Sequence, residues 1–299
     1  MAGRSGLVSL TVAGMLWGTG GLLGSLLHRV TGLSPVSVAT YRLAVGGLLL
    51  VAVLTLMRRP WPRTRAAWRR IGAVAVLAAI FQASYFGAVA AASVSLPTLI
   101  TIGASPVLIS LLEHLTGRRR LDQRRVMTIG LALAGLALLI GMPSADIRPT
   151  ALLAGAALSL VAAAGFATMT VIGATPVPEL DEMTTTGYGF ALGALFLTPL
   201  AALSGITFTP DAESIPLILT LGLLPTAIAY SLYFRSLRDV GPGTAAMLAL
   251  LEPLTGTALA VWLLGDRLGL TGVIGAGLLS IAMILAALHT PRVQAVPVS

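Results

Sequence analysis

Glu252 is a carboxylate in the middle of an apolar run, and Pro253 follows it directly. A charge at membrane depth costs at least about 2.5–3.5 kcal/mol unless it is paired or solvated. Glu252 therefore reads either as a titratable, ligand-contacting group or as a structural group bonded to a neighbouring helix. A proline inside a helix removes one backbone N–H and frees the carbonyl four residues earlier, here that of Ala249. Pro106 does the same to Ile102, 147 positions upstream, with Ser105 standing where Glu252 stands. Interrupted helices at matched positions of two halves point to the central site of membrane carriers. A plain kink without ligand duty is the other reading. Pro225, beside Thr226, is a third candidate break.

Other polar and aromatic groups recur at helical spacing around these prolines. One stripe holds Gln82, Tyr85 or Phe86, and Val89; another holds Thr98, Thr101 and Ser105. Phe166, Met169 and Thr170 form a third, and Thr226, Tyr230 and Tyr233 a fourth. Trp17 sits among Gly14, Gly18, Gly21 and Ser25, a small-residue stripe that by itself signals close helix packing. Each stripe alone is ordinary packing. Together they describe an aromatic, weakly polar cavity, suited to small amphipathic solutes rather than to phosphates that would demand several basic groups. Arg42 lies about two turns from its helix end and is placed to snorkel; Glu113 and His114 read as interfacial.

The elements that position these groups are membrane spans. Apolar residues make up 56% of the 299-residue chain and charged residues 10%, against roughly a quarter in soluble domains. Apolar runs of bilayer-crossing length fall at 7–27, 34–57, 71–92, 95–116, 125–141, 150–172, 183–203, 214–237, 241–264 and 270–289. Residues 41–51, YRLAVGGLLLV, return at 188–198 as YGFALGALFLT, and Phe86 maps onto Tyr233 by the same 147-residue shift. Residues 7–141 and 150–290 are thus expected to be two five-span copies joined at the 142–149 break. Five is odd, so the copies are inverted. The expected fold is all-α and integral to the membrane: ten helices in two inverted five-helix repeats around a central cavity.

All 19 basic residues are Arg, and the formal charge is +8. They cluster at 58–70 and 118–125, in alternate connections that share a side with Arg4, Arg235, Arg238 and Arg292. By the positive-inside rule this places both termini in the cytoplasm and makes the clusters topology signals, not a nucleic-acid footprint. Glu179, Asp181 and Glu182 sit on that same side with no evident basic partner. The tail from Pro291 is expected to be mobile.

Cysteine is absent, which excludes disulfides and thiolate metal sites. The sequence also lacks an HExxH pair, a Ser–Lys dyad and a GxxxxGK[ST] loop, so no cofactor, metal or nucleotide chemistry is expected. The small-molecule cargo and the bilayer are the expected partners; the oligomeric state stays open, with a monomer one option.

The pattern resembles the drug/metabolite transporter superfamily in its ten-span form with two EamA-type repeats. The resemblance rests on GMLWG at 14–18, TYRLAVGGLLL at 40–50, YFGAVAAASVSLPTLITIGASPVL at 85–108, GYGFALGALFL at 187–197, YSLYFRSLRDVGPGTAAMLALLEPL at 230–254 and GDRLG at 265–269. Gly117 departs from it, being followed by Arg118 rather than an acid. Within the superfamily the chain is most similar to the YddG-type amino-acid exporters. That similarity implies a bacterial inner-membrane exporter of aromatic and other neutral amino acids, working by alternating access. It implies a basket of helices lined by Trp17, Gln82, Tyr85, Thr101, Ser105, Phe166, Met169, Tyr230, Tyr233 and Glu252. The alternative is a broad exporter of drugs and organic cations. An intramembrane enzyme or a structural membrane protein is the more remote reading.

Overall fold

The computed structural model describes residues 2–92, 95–141, 148–265 and 267–288. Among these, ten helical segments are long and apolar enough to cross a membrane: Arg4–Thr31, Pro35–Leu56, Arg65–Ala92, Leu96–Leu115, Gln123–Ile140, Pro149–Gly173, Glu182–Leu203, Ser214–Val240, Pro242–Leu263 and Leu270–Leu288. They are called spans 1 to 10. Each predicted span is present with shifted ends. Span 3 begins at Arg65, so Arg65, Arg69 and Arg70 form its first turns rather than a loop. Most of the 142–149 seam, residues 93–94, Asp266 of the GDRLG segment and the tail with Arg292 lie outside the described residues.

Local chemistry repeats along with the sequence. The Ser34 hydroxyl accepts the backbone N–H of Ser37 at 3.2 Å and starts span 2. Asp181, 147 residues on, accepts the N–H of Thr184 at 2.7 Å and starts span 7. Both side chains satisfy an N–H that the first helical turn leaves orphaned. Two residues before each cap the backbone turns left-handed, at Gly32 (φ 70°) and at Glu179 (φ 66°).

Packing is interleaved and two-fold symmetric. The extensive interfaces join spans 2 and 7, 3 and 6, 4 and 6, 3 and 7, 5 and 10, 1 and 8, 1 and 9, and 2 and 8. Exchanging each span with the one five places away maps this set onto itself, as two inverted five-helix repeats require. Every one of these interfaces pairs a helix of the first half with one of the second. The halves therefore do not stand side by side. The packing units are spans 3, 4 and 6 and their symmetry mates 8, 9 and 1.

The prolines behave unequally. Span 9 is interrupted at Leu250, between the helical stretches Pro242–Ala249 and Leu251–Leu264. Span 4 runs through Pro106 as one helix, Ser95–Leu115, so the expected matched pair of breaks is present in one copy only. Pro225 lies in a π-helical turn, Leu223–Ile228, within span 8. Such a turn releases backbone groups that other side chains can use.

The acids of the connection between spans 6 and 7 have partners after all. The Glu179 carboxylate accepts the backbone N–H groups of Arg63 at 3.0 Å and Thr64 at 3.1 Å, tying that connection to the start of span 3. These bonds hold the Glu179 carboxyl below its ordinary range. Glu182 pairs with Arg238 at 3.1 Å, across spans 7 and 8. Arginines do structural work here too: Arg118 donates to the Val171 carbonyl at 3.0 Å and Arg70 to the Thr175 carbonyl at 2.9 Å. Both bind the carbonyl-rich end of span 6, where positive charge is favoured.

Candidate functional site

Span 1 shows how a small-residue helix serves two purposes. A Cβ on Gly18 would lie 2.5 Å from the Thr255 Cβ and 2.8 Å from the Glu252 carbonyl oxygen. Gly14 meets the Leu248 carbonyl oxygen at 2.8 Å in the same way. These glycines let spans 1 and 9 touch backbone to backbone. Gly21 has nothing within 4 Å of its Cβ position, and it lines a cavity instead.

That cavity has a volume of about 400 Å³ and is lined by spans 1, 2, 3, 4, 6, 8 and 9. Its size falls within the ~300–1,000 Å³ common for small-molecule sites. Its floor is aromatic. The Trp17 ring centroid lies 4.9 Å from that of Tyr230 and 6.0 Å from that of Phe166. Trp17-Gly18 of span 1 map onto Phe166-Ala167 of span 6 by a slightly longer shift of 149 residues, so the contact of the two rings puts the floor near the two-fold axis. Phe81 extends the aromatic wall, 5.7 Å from Phe166. At the other end the lining reaches His28 and Pro35, where spans 1 and 2 connect. Gly21, Ser25 and His28 follow one another at helical steps there and are all exposed, which makes this end the mouth.

Eight of the ten predicted binding residues line this space: Trp17, Gln82, Tyr85, Thr101, Ser105, Phe166, Tyr230 and Glu252. Met169 and Tyr233 do not. Met169 is 1% exposed within the core. Tyr233 lies beneath the floor, 4.9 Å from Trp17, with its hydroxyl 3.1 Å from Thr170 Oγ1. Both follow the cavity face of their helices by one turn toward the closed end, and that turn is already filled. Tyr85 and Thr98 share a hydrogen bond of 2.9 Å, and the Ser105 hydroxyl donates to the Thr101 carbonyl at 2.6 Å.

A carboxyl group and a guanidinium group line the cavity between its rings. Glu252 lines it directly after the break in span 9, and its side chain has no hydrogen-bond or ion-pair partner among the described residues. The reading of Glu252 as a structural group tied to a neighbouring helix therefore finds no bond to rest on. Arg42 does not snorkel. Its Nε donates to Thr226 Oγ1 at 2.9 Å and its Nη2 to the Pro225 carbonyl at 3.2 Å, so it is held by the π-helical turn of span 8. Its Nη1 lies toward Gly20, 3.9 Å from the Cβ position there. The sequence offered one signal for this role, an arginine inside a span, but not the span that would receive it. Arg42 and Glu252 do not pair with each other; the ion pairs among the described residues are Glu113–Arg125 and Glu182–Arg238. The cavity thus presents a guanidinium and a carboxyl group, neither of them in an ion pair, between aromatic rings.

The far side is shut. Below Tyr233, Glu113 is buried and pairs with Arg125 against Gly243, rather than sitting at the interface as expected; His114 is exposed.

Among the described residues no group of three His, Cys, Asp or Glu could hold a metal ion. The profile of the EamA-like transporter family matches residues 4–141 and 153–288. The uncharacterized transporter YwfM of Bacillus subtilis is 28% identical over 98% of this chain and 97% of its own. The uncharacterized inner membrane transporter YicL of Salmonella typhimurium is 25% identical over 97% of each chain. A solved crystal structure superposes with a TM-score of 0.74 over 96% of this chain and 99% of its own, at 21% identity, and so shares the fold. With the interleaved ten-span basket and its one-sided cavity, these matches establish that the chain belongs to the EamA-like transporter family of the drug/metabolite superfamily, a multi-pass secondary transporter of small solutes.

Proposed function

We infer that the chain exports small amphipathic solutes, above all aromatic and other neutral amino acids, across the bacterial inner membrane by alternating access. The observation that carries this reading is Arg42 and Glu252 on one aromatic cavity, neither of them in an ion pair. An amino-acid zwitterion offers a carboxylate to a guanidinium and an ammonium to a carboxylate. Charge-assisted bonds of this kind are worth about 1.5–3 kcal/mol each. Neither protein group would then remain in a low-dielectric space without an opposite charge. The rings of Trp17, Phe166, Phe81 and Tyr230 provide the apolar contact that an aromatic or aliphatic side chain needs.

With both termini in the cytoplasm the mouth at the connection between spans 1 and 2 faces outward. In that orientation the structure is an outward-open state, and Glu113–Arg125 belongs to the inner closure. The motion that inverts it is a rocking of spans 3, 4 and 6 against 1, 8 and 9. Residues 7–141 and 150–290 are the repeats that generate this symmetry rather than the moving bodies themselves.

The rival cargo is a lipophilic cation, favoured by Glu252 among aromatic faces and disfavoured by Arg42. The test is counterflow of labelled phenylalanine, tryptophan and threonine into proteoliposomes, beside tetraphenylphosphonium, for the parent chain and Glu252→Gln. Amino-acid uptake that the variant loses is the expected result. Uptake of tetraphenylphosphonium alone would replace the amino-acid reading with the cation one.

A further inference from the structure

A second cavity, of about 390 Å³, lies at the closed end, between the starts of spans 5 and 9 and the end of span 10. Its lining is of two chemical kinds: Arg119, Arg124 and Arg125 with Asp122, and the apolar Met127, Met247 and Leu285. The acids here are spoken for. Asp122 Oδ1 accepts the Arg125 backbone N–H at 2.7 Å, and Glu113 pairs with Arg125 Nη2. Arg125 Nη1 is buried with no hydrogen-bond partner, and neither Arg119 nor Arg124 has an ion-pair partner among the described residues. Burial, and then the neighbouring Arg125, press the Arg119 guanidinium below its ordinary pKa, with Glu113 and Asp122 only partly opposing them.

A free anion would need the arginines alone. A wall of methionine and leucine beside them, at the level where span 5 starts and span 10 ends, calls for a ligand with an acyl chain. We propose that this cavity binds an anionic phospholipid of the inner leaflet, its phosphate on Arg119 and Arg124 and one acyl chain along Met127, Met247 and Leu285. Basic pockets between spans on the cytoplasmic face recognise such headgroups. Arg125 joins this site to the Glu113 pair, so an occupied site braces the inner closure. The site is separate from the cargo cavity and does not depend on which cargo is carried.

The test is native mass spectrometry of the full chain released from detergent, titrated with phosphatidylglycerol, with phosphatidylcholine of the same chains, or with inorganic phosphate. The parent is expected to retain phosphatidylglycerol in preference to phosphatidylcholine. Arg119→Gln with Arg124→Gln is expected to weaken that retention about thirtyfold. Arg65→Gln with Arg69→Gln, the same charge change at the other cluster, leaves it intact. Equal loss in the control pair, no headgroup preference, or displacement by inorganic phosphate would each overturn the proposal. A measurement on the parent alone guards against a misfolded variant: phosphatidylglycerol with a diazirine on its acyl chain should label the peptides carrying Met127, Met247 or Leu285. Labelling confined to other peptides would also overturn it.

Discussion

Spans 4 and 9 occupy equivalent places in the two copies, yet one is whole and the other is broken. In span 4, Ser105 turns its hydroxyl back onto the Thr101 carbonyl, and the helix continues through Pro106. In span 9, the Leu250 N–H reaches only to the Met247 carbonyl, at 3.3 Å, and the helix restarts one residue later carrying Glu252. The partner helices differ in step. Span 9 lies so close on span 1 that Gly18 has no room for a Cβ, while the equivalent position in span 6 is a buried Ala167. A duplicated frame has thus diverged at one point: the copy that holds the carboxylate gave up its helical continuity and took the tighter contact. Symmetry places the cavity, and asymmetry supplies its chemistry.

The largest expected effect tests that division of labour. Glu252→Gln should lower amino-acid counterflow by about ten- to a hundredfold, the value of one charge-assisted hydrogen bond. Ser105→Ala should change it by less than about threefold, since a neutral hydrogen bond within its own helix contributes little. Equal losses would erase the distinction between the two spans.

Next in size is the helix contact. Gly18→Ala should destabilise the protein by about 1–3 kcal/mol through overpacking against span 9. Ala167→Gly should cost no more than about 1 kcal/mol, the ordinary helix penalty of glycine. Unfolding in a denaturing detergent titration would measure both. A milder contrast is expected between the prolines. Pro253→Ala should slow counterflow while the protein still folds, because it invites the helix to close over Leu250. Pro106→Ala should leave the rate close to that of the parent. The same rate for both would show that the break in span 9 has no part in transport.

The smallest effect concerns the loops. Gly32 in the first copy and Glu179 in the second share a left-handed turn before a capped helix, but only Glu179 bonds a neighbouring connection. Its carboxyl titrates below the ordinary ~4.3 because the N–H groups of Arg63 and Thr64 favour the charged form. The stabilisation is therefore complete above that ordinary value and fades as pH falls through the lowered one. The parent's melting temperature should drop over that acid window slightly more than that of Glu179→Gln, which differential scanning fluorimetry would resolve. Parallel curves would count against a role for those bonds.

Most of the frame could be read from the chain. Ten spans, their order and the two-fold relation follow from run length and from the 147-residue echo of YRLAVGGLLLV, because hydrophobic length and internal repetition are one-dimensional properties. The cavity face of spans 1, 3, 4 and 6 could be read too, since helical spacing fixes which residues share a side. What escaped depends on partners distant in sequence. The reach of Arg42 to Thr226, 184 residues away, decides between snorkelling and a cavity cation. Burial of Glu113 needs Arg125 and Gly243 to arrive from two other helices. Met169 and Tyr233 share a face with true lining residues and are set aside only by how deep the floor lies. That span 9 is broken where span 4 is whole depends on how closely span 1 approaches it, which no local pattern encodes.

Interleaving of the two halves has a consequence for biogenesis. The extensive interfaces all join a helix of the first half to one of the second, so a nascent chain that has inserted spans 1 to 5 has made almost none of its final contacts. Arg42 enters the bilayer long before its acceptor Thr226 is synthesised, 184 residues later. At about 5–20 residues per second, that wait lasts roughly 10–40 seconds. During this interval the translocon or the lipid headgroups must shelter the arginine, and the half-made protein depends on that shelter more than the finished one does.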